Sequence, residues 1–172
     1  MDPISEAEIR GSFLNCSKGD AARIKLPTDF LETPWELLDF FGWTDPSAPQ
    51  RAAIVLPSED GVQAIMLRKA DRAFGGRVRS GLCQACLTSH PGGGVALFTA
   101  SCPGPSGRVG NSVGEYLCAD LACSLYLRGT MRPRPGAVRV EETLALDEKV
   151  ERAMRKLRAF ARRVADTPAT VR

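Results

Sequence analysis

Histidine is nearly missing from this chain: His90 is the only one in 172 residues. That scarcity weakens any hydrolase reading, because no Ser–His–Asp or Cys–His–Asn arrangement can be placed and no paired carboxylates mark a cleft. Long apolar runs are missing too. None approaches the roughly 20 residues needed to cross a bilayer, so no membrane partner is expected. The start, Met1-Asp2-Pro3-Ile4-Ser5-Glu6, has neither the basic region nor the apolar core of a secretory signal, which makes the cytoplasm the expected location. A large charge of one sign is also lacking. The formal net charge is +3, which by itself argues for no nucleic-acid role. Pro91-Gly92-Gly93-Gly94 has no lysine of a phosphate loop and no strand–turn–helix setting, so it reads as a turn and implies no small-molecule substrate.

What is present is cysteine in close pairs. Cys83-Gln84-Ala85-Cys86 and Cys118-Ala119-Asp120-Leu121-Ala122-Cys123 together supply four thiolates, the donor set of a closed tetrahedral zinc site. Four thiolates leave no position open, so one structural Zn2+ is expected, with Cys83, Cys86, Cys118 and Cys123 as ligands. Thiolates and dication together bring the net charge close to zero. Disulfides are the alternative for six cysteines in a secreted chain, but the absent signal and the close pairing argue against them. Cys16 and Cys102 have no near partner and read as free. Cys102, between the pairs, and His90 are the rivals for one ligand position.

The rest of the chain supplies a small α+β frame. Ser5-Glu6-Ala7-Glu8 is a capping box that starts a helix running to near Asn15, with Ser17-Lys18-Gly19-Asp20 as its breaker. Thr33-Pro34 reads as a second helix start, with Trp35, Leu38 and Phe41 on one face and Gly42-Trp43 at its end. Ala52–Leu56 and Val62–Arg68 flank a glycine-ended turn and predict a β-hairpin. Val95–Ala100 reads as a strand, Cys102–Gly107 as a loop, Asp120–Leu127 as a helical turn stopped at Gly129, and Arg132–Gly136 as an extended linker. A long amphipathic helix is expected from about 144 to 165, its stripe formed by Leu146, Val150, Ala153, Leu157, Phe160, Ala161 and Val164. The whole is expected to be a single compact α+β domain, with a zinc module over about 74–130, a small antiparallel sheet and the C-terminal helix.

These residues resemble a known family. Arg10–Gly19, the Cys83–Cys86 knuckle, the run Gly110–Ser124 and the last helix are similar, in that order, to the C-terminal treble-clef zinc-finger domain of the elongation factor G-binding, fusidic-acid-resistance (FBP) proteins. The resemblance implies a treble-clef fold, the same four cysteine ligands and binding to elongation factor G with promotion of its departure from the ribosome. Those proteins carry a helical bundle before this domain. A chain of 172 residues is not expected to hold one.

The residue-level reading agrees in kind: a closed metal site without a catalytic constellation describes a binding module rather than an enzyme. Phe74, Arg108, Tyr116 and Arg128 flank the metal ligands in sequence and are nominated as partner contacts, because aromatic and arginine side chains dominate interface energetics. The alternative is a ribosome- or RNA-binding zinc module without affinity for the free factor. The basic last helix, with Arg152, Arg155, Lys156, Arg158, Arg162 and Arg163, is the place where ribosomal RNA contact is expected in that case.

Overall fold

A computed structural model describes residues 1–70, 81–137 and 142–166. Helix α1 (Glu6–Gly11) begins at the expected capping box: the Glu8 N–H donates to Ser5 Oγ (3.3 Å) and the Ser5 N–H to Glu8 Oε2 (2.7 Å). It ends earlier than its pattern suggests because the next residues bond to a strand instead. Ser17 does not merely break the chain; it caps a further helix, α2 (Lys18–Arg23), accepting the Asp20 N–H at 3.0 Å.

The helix expected from Thr33 is not formed. Two single 3-10 turns, Phe30–Glu32 and Trp35–Leu37, lead into strand β1 (Phe41–Thr44). The period explains the difference. Phe41 and Trp43 lie two apart and stack on one side (ring centroids 4.9 Å), together with Phe30 and Trp35, while Phe40 faces the opposite core. Alternation of this kind belongs to a strand buried on both faces.

The expected hairpin is present as β2 (Arg51–Ser58) and β3 (Gly61–Lys69). Two short strands, β4 (Gly81–Leu82) and β5 (Ser89–His90), flank the first cysteine pair. β6 (Val95–Ser101) follows. The expected loop after it contains a one-turn helix, α3 (Gly104–Arg108), and β7 (Ser112–Cys118) then returns to the second pair. The main sheet is antiparallel in the order β1-β2-β3-β6-β7. Helix α4 (Cys123–Leu127) leads out, and α5 (Leu146–Asp166) closes the fold.

The sheet is buried on two sides. Ala52, Ile54, Leu56, Ile65, Leu67, Phe98, Ala100 and Leu117 meet Leu157, Phe160, Ala161 and Val164 of α5 and the four paired cysteines. Each fully buried large side chain there contributes about 1.5–3 kcal/mol. Ile9, Ile24, Leu38, Phe41 and Trp43 cover Ala53, Val55 and Ala64 on the reverse. Along α5 the buried stripe starts later than expected: Leu146 is 46% exposed, Val150 is partly buried, and Met154 joins the core. Among the described residues, no helix is long and apolar enough to cross a membrane.

One junction in the sheet is filled by a side chain. β3 pairs with β6 at Arg68↔Thr99 and Lys69↔Phe98; in the same register the next hydrogen-bonded rung, past Leu67 and Ala100, would join Met66 to Ser101. Asn15 occupies it. Its Nδ2 donates to Met66 O (3.0 Å) and Ser101 O (2.9 Å), and its Oδ1 accepts the Met66 N–H (2.8 Å). The preceding residues run alongside β3, with Ala64 N–H to Ser12 O and Leu14 N–H to Ala64 O both at 3.0 Å.

Candidate metal centre

The first cysteine pair sits in a knuckle between β4 and β5. The Leu87 N–H closes on Cys83 O (2.9 Å) and the Cys83 N–H on Thr88 O (3.0 Å). The second pair brackets a turn: Cys118 ends β7, the Leu121 N–H bonds Cys118 O (2.9 Å), and Cys123 is the first residue of α4. Leu87 (φ 57°) and Leu121 (φ 60°) are the non-glycine residues in the left-handed region among those described. Each costs about 1–2 kcal/mol of backbone strain. Strain of this size collects where the surroundings impose a geometry, and both residues lie inside or directly after a cysteine pair. The turn at Leu121 explains how a spacing of four still aims both thiols inward.

The Sγ atoms of Cys83, Cys86, Cys118 and Cys123 all lie within 4.8 Å of one another, and all four residues are buried. Cys83 and Cys123 sulfurs are 3.7 Å apart, and those of Cys86 and Cys118 3.5 Å. A tetrahedron with Zn–S bonds of about 2.3 Å has edges of about 3.8 Å. A disulfide would need about 2.05 Å, and all six cysteines are free. The donor set therefore fits zinc in number, element and spacing.

Electrostatics agree. Hydrogen bonds from the Cys118, Cys123 and Cys86 side chains hold the Cys83 thiol far below the usual range, while the same crowding and full burial push Cys123 well above it. A dication is what allows all four thiols to lose their protons.

The surroundings orient the ligands. Cys86 Sγ lies 3.2 Å from Thr88 Oγ1. His90, a rival ligand by sequence, instead places Nε2 3.3 Å from Cys118 Sγ. Burial lowers its pKa; a metal-bound thiolate can only accept, so beside one the ring would carry a proton on Nε2 and donate it to the sulfur. Its edge packs against Tyr126, whose hydroxyl donates to Asp120 Oδ2 (2.7 Å). A Cβ on Gly94 would lie 2.5 Å from that of His90, so only glycine allows the ring its place. A Cβ on Gly42 would come within 2.7 Å of the Leu121 Cβ, which brings β1 directly against the second cysteine turn. Cys102, the other rival, lies at the far end of β6 from Val95, the partner of Cys118, about 20 Å away at strand rise. Burial and Asp20 push the Cys16 thiol up to about 11, so little of it is thiolate at neutral pH.

The nominated contact residues separate. Tyr116 is 51% exposed beside the first knuckle; its N–H donates to Gln84 Oε1 (2.9 Å) and its carbonyl accepts the Gln84 N–H (2.8 Å). Arg108 is the exposed last residue of α3, which precedes the end of β7 opposite Cys118. The Arg128 guanidinium is engaged by Asp39 through two bonds (2.5 and 2.8 Å), tying α4 to the segment before β1. Phe74 lies outside the described residues. Sequence reasoning missed Gln84, Thr88 and Asp39; Gln84, inside the knuckle, and Thr88, two residues beyond Cys86, were within local reach.

The model of the FBP C-terminal treble-clef zinc-finger family matches residues 8–164. The chain belongs to this family. Its match spans all four thiols and every element that carries them, so the FBP treble clef accounts for the geometry above, and the four cysteines are positioned to bind one zinc ion. No curated protein and no solved structure matches the chain significantly.

Proposed function

We propose that this FBP-family chain is a non-catalytic binding module that engages elongation factor G and promotes its release from the ribosome in the cytoplasm. The family match over residues 8–164 carries the reading. The closed thiolate centre supports it, since a four-sulfur site offers zinc no free position for substrate. Zinc would act by holding the two cysteine turns, and with them Tyr116 on β7, in one rigid arrangement. Tyr116 is the contact favoured by exposure, and Arg108 is a second exposed candidate on the helix before β7.

The test is capture of purified elongation factor G by the zinc-loaded chain. Recovery should fall several-fold for Tyr116→Ala at unchanged thermal stability, and nearly completely after chelation. Failure of the wild-type chain to retain the factor would overturn the proposal. Equal retention by Cys118→Ser would remove zinc from it.

A further inference from the structure

Two concavities meet on the face of the zinc module. One, about 610 Å3, runs along the first knuckle and α4; the other, about 280 Å3, lies over His90 and Asp120. Tyr126, Arg132 and Arg134 line both, so the Arg132-Pro133-Arg134-Pro135 segment joins them into one groove. Lys149 stands along the first part and Lys69 along the second. The acids that line the groove among the described residues already have partners. Glu142 is held by Arg152 (2.6 and 3.0 Å), and Asp120 accepts from the Tyr126 hydroxyl and the Ala122 N–H. Arg132 and Arg134 are exposed, and no carboxylate among the described residues engages them.

The spacing of the arginines is informative. Each precedes a proline, which biases its backbone to extended or polyproline geometry. Two residues of such a chain cover about 6 Å, comparable with the separation of successive phosphates along one nucleic-acid strand. Leu87, Leu127 and Met131 add apolar surface suited to sugar and base faces. The groove differs from the basic face of α5, where Arg152 and Arg163 are engaged by Glu142 and Glu115.

We infer that this groove binds single-stranded RNA through its phosphates, with Arg132 and Arg134 on adjacent phosphates and Lys69 and Lys149 extending the track. The inference does not depend on factor binding and is tested without the factor. The zinc-loaded chain is titrated into a fluorescein-labelled 12-nucleotide oligouridylate, and anisotropy is followed at several salt concentrations. Each phosphate contact on a single strand adds about 0.7 to the salt slope, so Arg132→Ala/Arg134→Ala should lower the slope by about 1.4 and weaken binding about 25-fold at 0.1 M salt. Arg155→Ala/Arg158→Ala on α5 should leave both unchanged.

Wild-type affinity in the first double variant, or loss confined to the second, overturns the inference. So does an RNA duplex that binds as tightly as the single strand. Competition by poly-glutamate at equal charge concentration would reassign the groove to an acidic protein. If the arginines serve only to balance the zinc–thiolate charge, their variant will surrender zinc to a chelator more readily while RNA affinity stays at the wild-type value, and that too refutes it.

Discussion

Replacing Asn15 by alanine tests whether a single side chain holds the sheet together where β3 and β6 part. The substitution removes three hydrogen bonds of 2.8–3.0 Å to Met66 and Ser101. At about 0.5–1.5 kcal/mol net each, the sum is about 1.5–4.5 kcal/mol. Water can reach the Ser101 carbonyl but not easily the Met66 groups, which places the expected loss at about 2–3 kcal/mol. For a chain of this length that corresponds to a fall in Tm of about 4–12 °C. Urea titration of the zinc-loaded protein should show a lower midpoint at an unchanged slope.

Asn15→Asp sharpens the test. Its carboxylate would still accept the Met66 N–H but would face two carbonyl oxygens, so the folded state should favour the protonated acid and raise its pKa. The ionisation part of the penalty should therefore be largest at neutral pH, shrink as pH falls below that raised value, and be absent below about 4, where the unfolded acid is protonated too, leaving only the loss of one donor, since a carboxyl has one O–H where the amide has two N–H. An alanine effect under about 0.5 kcal/mol, or identical pH profiles for the two variants, would refute the rung.

Gly42→Ala should cost about 1–3 kcal/mol, since its Cβ would sit 2.7 Å from that of Leu121. It should also speed zinc transfer to a chromogenic chelator, because the strain falls on the second cysteine turn. Asp45 gives a separate acid limit. It is buried at 0% exposure, and hydrogen bonds from Ser47, the Lys25 N–H and Arg51 outweigh burial to hold its pKa at about 2 against 3.8. A depressed carboxylate contributes above its unfolded pKa and loses that contribution as pH falls from about 4 to about 2, here about 2 kcal/mol. A denaturant midpoint measured from pH 6 to 2 should drop over that window in the wild type and less steeply in Asp45→Asn.

Features written in adjacent residues were legible in the sequence. The capping box, the hairpin, the cysteine pairs and the last helix each announce themselves within one turn or one strand. Thr33–Trp43 misled because its apolar residues satisfy a helical spacing and an alternating one, and packing of Phe41 and Trp43 against β2 decided between them. The Asn15 rung and the Asp39–Arg128 pair join residues 51 to 89 positions apart, and nothing in either local stretch names the partner. His90 reads in the sequence only as a rival ligand, and the fold places it behind a sulfur, with Nε2 against Cys118 Sγ.

Gln84 gives the metal a second duty. β7 is the last strand of its sheet, and such a border offers unpaired amides to any other chain that can lie beside it. Gln84 blocks that invitation at Tyr116, and the loop that presents it carries the first two metal ligands, Cys83 and Cys86. Stripping the ion would free the loop, bare the rung and leave a tyrosine next to it. The metal-free chain would then offer that edge to copies of itself, and the ion would serve solubility as well as shape.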